Sequence, residues 1–422
     1  MRTSEYSGFY KLTAAQRAKE VAEFAGLTSE EAALLEKFGA LPRELAERMI
    51  ENVVGVMPLP LGIATNFMVN GRDVLVPMAI EEPSVVAAAS NAARMARAKG
   101  GFTAKATEPV MIGQLQVVGL DDADGAMRKV IQSKARLMEL VNAQDPTMVK
   151  RGGGARDVEA RVIETSRGRM LIVHLLIDVR DAMGANAVNT ICEALAPTVA
   201  EITGGTVRLR IISNLAERRT VKAHAVFAKE LLGGEAAVDA ILDAYEFAAN
   251  DIYRCATHNK GIMNGIDAVA VATGNDWRAL EAGAHSFAAK DGRYRPLTRY
   301  RKGADGDLEG EIELPIAVGL VGGATRTHPI AKLSVKILGV KTASELAEIM
   351  ASVGLAQNVA ALRALSTEGI QRGHMELHAR NIAISAGATG ELIDIVAERM
   401  IAERKIKMER ALEILAELLR EK

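Results

Sequence analysis

Residues 257–285 of this 422-residue chain read THNKGIMNGIDAVAVATGNDWRALEAGAH. In this stretch, polar and ionisable side chains lie on both sides of a short apolar run. The ionisable and amide side chains in it are of complementary kinds: His258, Asn259, Lys260, Asn264, Asp267, Asn275, Asp276 and Arg278. The apolar run lies at 268–272. Glycines at 261, 265 and 274 predict tight backbone turns and close approach to a ligand, because glycine has no side chain to obstruct either.

Lys260 and Asp276 are the two residues of this stretch best suited to catalysis. An aspartate sixteen positions after a lysine could meet it across a helix or a turn. The carboxylate would then set the charge and orientation of the lysine, and the lysine could stabilise a developing oxyanion. A structural salt bridge beside a buried helix explains the same two residues equally well.

The stretch at 257–285 resembles the core signature of 3-hydroxy-3-methylglutaryl-CoA reductases, and in particular that of the bacterial class II enzymes. Four further segments resemble the family in the expected order, at 51–90, 178–189, 319–329 and 368–381. The resemblance therefore extends over nearly the whole chain. It implies an enzyme that interconverts 3-hydroxy-3-methylglutaryl-CoA and mevalonate plus CoA by two hydride transfers with a nicotinamide cofactor.

The family resemblance also sets the expected α+β fold and its domains. It implies a large, mainly helical substrate domain, an inserted small non-Rossmann α+β dinucleotide-binding domain and a C-terminal helical flap, with Gly387 and Gly390 as hinges. The expected bounds are 1–108 for the first part of the large domain, 109–216 for the small domain, 217–375 for the second part of the large domain, and 376–422 for the flap.

The local sequence pattern agrees with this division, and the length alone favours at least two domains. Residues 12–50 are typical of short helices. Between 109 and 216, strand candidates interleave with helical stretches, as in an α+β domain. The strand candidates are 110–118, 161–165, 170–179 and 207–213, and the helical stretches are 124–143 and 187–202.

Composition excludes several classes of protein. The net charge is -1 and the basic residues are dispersed, which argues against nucleic acid as a partner. Cys192 and Cys255 are the only cysteines and lack metal-ligand spacing, so a disulfide framework or zinc ribbon is not expected. No stretch reaches the length of a membrane span and no apolar leader opens the chain, so a cytoplasmic protein without a membrane anchor is expected.

Glu82 is the candidate acid. Residues 81–84 read EEPS and lie between the apolar VPMAI and an alanine-rich helix. An acidic residue before a helix is usually a cap that complements the helix dipole. The resemblance instead gives Glu82 the role of catalytic acid, and it gives Ser84 a place in substrate binding. A carboxyl group buried between these apolar runs would hold its proton more readily, as a proton donor requires.

The cofactor is expected at residues 178–186, DVRDAMGAN, where a strand end runs into a glycine-containing turn and a helix. Backbone N–H groups at such a helix start can bind pyrophosphate, although an ordinary strand–helix turn is commoner. The chain has neither G-x-G-x-x-G nor a Walker A motif. The segment resembles the family's DAMGxN cofactor loop, which assigns cofactor binding to Asp181, Met183, Gly184, Ala185 and Asn186.

The resemblance assigns three further roles. Arg254 would meet a substrate carboxylate, where a surface salt bridge is the alternative, and Asn264 would contact the substrate. His374 would protonate the departing CoA thiolate. His378 lies four residues beyond it, but no third ligand accompanies the two histidines, so we expect no metal site.

Asp145 favours NAD(H) over NADP(H). It matches an acidic residue that NAD-preferring class II members place beside the adenosine ribose, where a carboxylate would repel a 2′-phosphate. A helix-end aspartate before Pro146 is the alternative. The expected partners are mevalonate, 3-hydroxy-3-methylglutaryl-CoA and CoA, in a homodimer or higher homo-oligomer. The competing hypothesis is a non-catalytic CoA- or nucleotide-binding regulatory protein on the same fold.

Overall fold

The computed structural model describes residues 3–37, 41–367 and 379–420, in which helices and strands are mixed and the strands form two separate sheets. The larger sheet has six strands: β1 (Leu61–Val69), β2 (Arg72–Ala79), β3 (Phe102–Ala106), β8 (Thr220–Phe227), β9 (Thr298–Lys302) and β10 (Leu308–Pro315). The smaller has four: β4 (Val110–Val118), β5 (Gly154–Thr165), β6 (Gly168–Asp178) and β7 (Thr206–Ser213).

The larger sheet has the strand order β2-β1-β3-β8-β10-β9. Its first hairpin turns at Asn70 and Gly71, which both have positive φ, as an Asn-Gly hairpin turn requires. The helices that surround this sheet are α1 (Ala14–Ala25), α2 (Ser29–Glu36), α3 (Arg43–Met49), α4 (Val85–Arg97), α9 (Lys229–Leu232), α10 (Glu235–Asn250), α11 (Ile252–Ala272), α12 (Trp277–Ala288), α13 (Gly323–Thr327), α14 (Pro329–Leu338) and α15 (Ala343–Ser366).

Helix α15 lies at the centre of the larger core, where it packs against α4, α10, α11 and the sheet. Among the described residues it is the one helix long and apolar enough to cross a membrane, yet 67% of its apolar window is buried inside the molecule. Its length and composition are therefore explained by core packing.

The smaller sheet has the order β5-β6-β4-β7 with antiparallel neighbours. Four helices accompany it: α5 (Ala123–Gln132), α6 (Lys134–Gln144), α7 (Pro146–Lys150) and α8 (Ala185–Thr203). All four strands lie inside the predicted segment 109–216, and they share a core with α5, α6 and α8. Two local expectations were wrong. The helix expected at 124–143 is interrupted at Ser133, and β5 begins at Gly154 rather than at 161.

The N-terminal helices α1 and α2 pack against α14, whereas the C-terminal helices form a packing unit of their own. Thr28 and Glu31 make a reciprocal capping box at the start of α2, as their spacing predicts. At the C-terminal end, helical residues 379–385 (α16), α17 (Leu392–Ala402) and α18 (Met408–Arg420) share an apolar cluster of their own. The mixed α+β fold with a small sheet domain is therefore confirmed.

Candidate active site

Helix α11 presents two hydrogen-bond donors to one carboxylate oxygen. Lys260 Nζ donates to Glu82 Oε2 at 2.9 Å, and Asn264 Nδ2 donates to the same oxygen at 3.3 Å. Residues four apart on a helix lie one above the other, which is why both side chains reach Glu82 in the loop before α4. The structure therefore brings three of the predicted site residues, Glu82, Lys260 and Asn264, together at one point.

The expected burial of Glu82 was wrong. Its side chain keeps 38% of its exposure, and that of Lys260 keeps 58%. Pro83 and Ser84 turn the chain away from β2, so the apolar residues on both sides of Glu82 pack into the core while its carboxylate faces solvent. The site is an open surface in the single chain, where a substrate can reach both charged groups.

The glycines of α11 do not make the expected turns. Gly261 and Gly265 lie inside one continuous 21-residue helix. A Cβ atom at Gly265 would lie 3.0 Å from Gln357 Cβ and 3.1 Å from Val353 Cγ1, so this glycine allows α11 to pack closely against α15. Gly274 does turn the chain, with a φ of 67° just after the helix ends. Close helix packing therefore fixes the backbone that carries Lys260.

Asp276 does not meet Lys260 within one chain, which corrects the pairing expected from their spacing. Asp276 caps α12, where its Oδ1 accepts from the Ala279 N–H at 3.1 Å and lies 3.3 Å from Arg278 Nη2. Ala272 lies twelve residues after Lys260 in the same helix, a distance of about 18 Å along the helix axis. The expected contact between Lys260 and Asp276 does not form within one chain, because the residues between them continue as one helix and do not turn back.

Asp276 lines a cavity of about 740 Å³ between the small sheet domain and the rest of the chain. Three segments form its walls: 182–187, 274–278 and 319–325. Gly319 is required there, since a Cβ atom on it would lie 2.5 Å from the Met183 nitrogen. The cavity thus lies where the expected cofactor loop meets two glycine-containing loops.

Of the five residues predicted for the cofactor loop, four line this cavity: Met183, Gly184, Ala185 and Asn186. Asp145, the sixth residue predicted for cofactor binding, is not among the residues that line it. Helix α8 begins there, directly after Gly184, which has a φ of 111°. A helix start of this kind presents free N–H groups and a positive dipole end, which suits a pyrophosphate. The geometry therefore fits a dinucleotide cofactor.

Asp181, the fifth predicted residue, has a structural contact instead. Its Oδ1 accepts from the Ala343 N–H at 2.8 Å, and its backbone carbonyl accepts from the Leu320 N–H at 2.9 Å. Asp181 therefore ties the cofactor loop to the start of α15 and to the loop at 319–325. Its carboxylate is not among the groups that line the cavity.

Arg219, which was not predicted from the sequence, supports the cofactor loop. This side chain is 4% exposed, and its Nη1 donates to the carbonyls of Ala182 at 3.0 Å and Met183 at 3.2 Å. Its Nη2 donates to the Val318 carbonyl. Burial lowers the pKa of Arg219 to about 10. One arginine thus holds two walls of the cavity, but no local motif marks it.

Asp145 lies at the start of α7, where its Oδ1 accepts from the Met148 N–H at 2.8 Å. Asp145 therefore caps a helix, as the alternative interpretation of this residue predicts. Its other oxygen has no hydrogen-bond partner among the described residues. A Cβ atom on Gly153 would lie 2.7 Å from Met148 Cγ and 3.1 Å from Arg180 Cγ, so α7 packs beside the strand end that leads into the cofactor loop.

Ser84 and Arg254 occupy unusual environments. Ser84 precedes α4 with a φ of 72°, a left-handed conformation that costs free energy in a residue with a side chain. Arg254 is half-buried, and no carboxylate in the described part of the chain lies within 4 Å of its guanidinium. Burial lowers the pKa of Arg254. Both features are typical of residues that bind a ligand.

His374 and His378 lie outside the described residues, so their predicted roles stay predictions. The hinge candidates Gly387 and Gly390 are described, and both have positive φ. Within the described ranges, no group of three or more His, Cys, Asp and Glu side chains could hold a metal ion.

Comparison with known proteins gives one consistent result. The family model described as "Hydroxymethylglutaryl-coenzyme A reductase" matches residues 13–379. The chain is 60% identical over 416 residues to the 3-hydroxy-3-methylglutaryl-coenzyme A reductase of Archaeoglobus fulgidus, covering 99% of this chain and 95% of that protein. It is 36% identical to a probable reductase of Borreliella burgdorferi, over 84% of this chain and 82% of that protein.

Solved structures agree. A class II 3-hydroxy-3-methylglutaryl-CoA reductase from Streptococcus pneumoniae, bound to NADPH in open conformations, matches with a TM-score of 0.82 and 42% identity. That match covers 96% of this chain and all of the other. A second structure of the pneumococcal enzyme matches with a TM-score of 0.84 and 41% identity, over 98% of this chain and all of the other.

Proposed function

The chain belongs to the hydroxymethylglutaryl-coenzyme A reductase family, whose reaction interconverts 3-hydroxy-3-methylglutaryl-CoA and mevalonate plus CoA, and from this premise we propose the roles of its residues. Lys260 stabilises the oxyanion that forms at the substrate carbonyl, Glu82 exchanges the proton of that oxygen, and Asp276 sets the orientation of Lys260. The observation that carries the proposal is the 2.9 Å contact between Lys260 Nζ and Glu82 Oε2, with Asn264 on the same oxygen.

This arrangement suits a carbonyl whose oxygen gains and loses charge. A fixed cation beside that oxygen stabilises the charged state more than the neutral one, which lowers the barrier. Glu82 lies within hydrogen-bonding distance of the same position, so it can deliver or take up a proton there. A bound nicotinamide supplies or accepts the hydride. Asn264 and Arg254 would orient the substrate, and His374 would protonate the CoA thiolate as it leaves.

We propose that Asp276 acts on Lys260 of a second copy of the chain, in a homodimer with shared active sites. Within one chain the two side chains are held far apart by α11. An apolar segment supports association, because Val54, Val56 and Met57 are exposed in an extended stretch without regular structure. Apolar side chains presented in this way are typical of a surface that a partner covers.

A second cavity, of about 830 Å³, is our proposed site for CoA. It runs along α4 from Val86 to Arg94, and α4 begins three residues after Glu82. Lys11 and Arg17 line it from the N-terminal segment and add positive charge to that of Arg94. These cations suit the phosphates of CoA. Val86, at the other end of the cavity, lies four residues after Glu82, where the thioester would react.

We propose NAD(H) as the preferred cofactor, held in the 740 Å³ cavity of the small domain, 109–216. The support comes from Asp145, whose Oδ2 is available to accept a hydrogen bond from a ribose hydroxyl and would repel a 2′-phosphate. The matched pneumococcal structure is bound to NADPH. The proposed preference of this chain for NAD(H) therefore rests on its own residue Asp145 and not on that relative.

A cytoplasmic location is proposed on the basis of the cysteines, since Cys192 and Cys255 are both free and buried. The competing hypothesis of a non-catalytic regulatory protein is set aside. A regulator would have no need of a lysine, a carboxylate and an amide brought to one point, and this chain has all three.

Subunit mixing tests the proposed function directly. Lys260→Ala and Asp276→Ala are each expected to be inactive alone. If each site takes its lysine from one chain and its aspartate from the other, unfolding and refolding the two variants together restores one intact site per mixed dimer. Random pairing then gives about a quarter of the wild-type turnover. No recovery, in a sample where mixed dimers are demonstrated with two affinity tags, would refute the shared site.

A further inference from the structure

Helices α11 and α12 contact each other through a pair of carboxyl groups that the proposed mechanism does not use. Asp267 on α11 and Glu281 on α12 lie within hydrogen-bonding reach of each other. Asp267 Oδ1 is buried, and no hydrogen-bond partner for it exists among the described residues unless one of the two groups carries a proton. Glu281 Oε2 lies 2.5 Å from His285 Nε2, and His285 Nδ1 lies 2.7 Å from the Tyr294 hydroxyl.

Asp267 is the partner that holds the proton. Burial, followed by the contact with Glu281, raises the pKa of Asp267 to about 8. Hydrogen bonding from His285 lowers the pKa of Glu281, and Lys260 adds to that effect. The charged groups that act on the pair are therefore His285 from α12 and Lys260 from α11. A neutral Asp267 can donate its hydroxyl to Glu281, whereas two adjacent carboxylates would repel each other.

We propose that Asp267 is a positioning residue, whose carboxyl proton is shared with Glu281 and fastens α11 to α12. Asp267 lies on the face of α11 that carries Lys260, seven residues further along the helix. Helix α12 begins at the cap residue Asp276, in the wall of the cofactor cavity. The shared proton therefore fixes the position of Lys260 on α11 relative to that of Asp276 in the wall of the cofactor cavity. This inference rests on the roles proposed for Lys260 and Asp276.

The contact has a defined dependence on pH. Because the pKa of Asp267 is raised in the folded state, its contribution to stability is complete below the ordinary aspartate range and is lost as the pH rises through about 8. Above that pH both carboxyl groups are ionised and the contact becomes repulsive. Turnover is therefore expected to decrease on the alkaline side as α12 moves relative to α11.

The test compares Asp267→Asn with Asp267→Ala in the full-length protein. Asparagine donates a hydrogen bond to Glu281 but cannot ionise, so turnover at pH 7 should stay within about threefold of wild type and the alkaline decrease near pH 8 should disappear. Alanine removes the donor, and kcat at pH 7 should fall roughly tenfold while KM changes less. Asp243→Asn, an exposed aspartate on α10, is the matched control and should keep the wild-type pH profile.

Infrared spectroscopy provides a readout that does not need activity. The wild type should show the carbonyl band of a protonated carboxyl group at pH 7, and the band should be absent in Asp267→Asn and in the wild type above pH 8 to 9. An unchanged alkaline limb in Asp267→Asn, or the same band in both proteins, would overturn the proposal. If Lys260→Ala kept full turnover, the proposed function would fail while the infrared difference remained, so the two failures can be told apart.

Discussion

At the scale of single residues, Lys260 is the most direct test of the chemistry. Lys260→Ala should lower turnover by at least ~10²-fold, because it removes the fixed cation at the developing oxyanion. Thermal unfolding should change little, since a half-exposed ion pair contributes little to stability. The measurement is absorbance at 340 nm on addition of mevalonate, CoA and NAD.

The control for this variant is Lys129→Ala, an exposed lysine on α5 that should leave both turnover and stability unchanged. Near-normal turnover in Lys260→Ala would exclude the oxyanion role. A large loss of thermal stability in the same variant would instead mean that the lysine is structural.

Asp145 decides the cofactor preference in a second prediction. The wild type should have a higher kcat/KM with NADH than with NADPH. Asp145→Ala should reduce the ratio of these two kcat/KM values by roughly tenfold, because the repulsion of a 2′-phosphate is removed. Asp145→Asn removes the charge but keeps a side-chain oxygen that can accept from the Met148 N–H at the start of α7. Comparison of the two variants therefore distinguishes the effect of the charge from that of the helix cap. A wild type that prefers NADPH, or a ratio that neither substitution alters, would contradict this assignment.

The sequence predicted which residue types form the site better than it predicted their pairing. Glu82, Lys260 and Asn264 come together because two of them share one face of a helix, a regularity that spacing reveals. The pairing of Lys260 with Asp276 within one chain was wrong, because that pairing depends on whether the chain between them turns. Arg219 was missed altogether, since a buried arginine is distinguished by the three carbonyls around it and not by its sequence neighbours.

At the scale of elements, helix α11 shows why the turn prediction failed. Glycine is permissive in turns, but it also allows two helices to approach closely, and sequence alone does not distinguish these uses. Gly265 on α11 and Gly354 on α15 both contact the opposite helix. Three strands of the smaller sheet, β4, β6 and β7, were predicted to within two residues at each end, because alternating and β-branched patterns are local, whereas the first seven residues of β5 were missed.

The two glycines inside α11 should respond to substitution in opposite directions. Gly265→Ala places a Cβ atom about 3 Å from Gln357 and Val353 and should lower the free energy of unfolding by ~1–3 kcal/mol through overpacking. Gly261→Ala meets no atom within 4 Å and should raise the free energy of unfolding by ~0.5–1 kcal/mol, because alanine favours helices. Urea unfolding of both variants measures the difference. Equal effects in the two variants would mean that Gly265 is not a packing residue.

At the scale of the whole molecule, the site is divided among separate packing units. The larger core carries Lys260 and Glu82, the small sheet domain supplies the cofactor loop, and the C-terminal helices have an apolar cluster of their own. Reactions at the boundary of such units can depend on how the units move, because the units are joined by fewer contacts than each has inside. Removal of the C-terminal unit should therefore impair one step rather than the fold.

A chain that ends at Gly390 tests this expectation. It lacks α17 and α18 but keeps both larger cores, so its thermal unfolding should remain within a few degrees of the full-length protein. Conversion of 3-hydroxy-3-methylglutaryl-CoA should fall strongly, while reduction of mevaldehyde should survive better, because an aldehyde has no thiolate to expel. His374→Gln should show the same selectivity, since the proton for the thiolate is assigned to that residue. If mevaldehyde reduction falls as far as the complete reaction in both proteins, neither His374 nor the C-terminal helices act at the CoA-linked step.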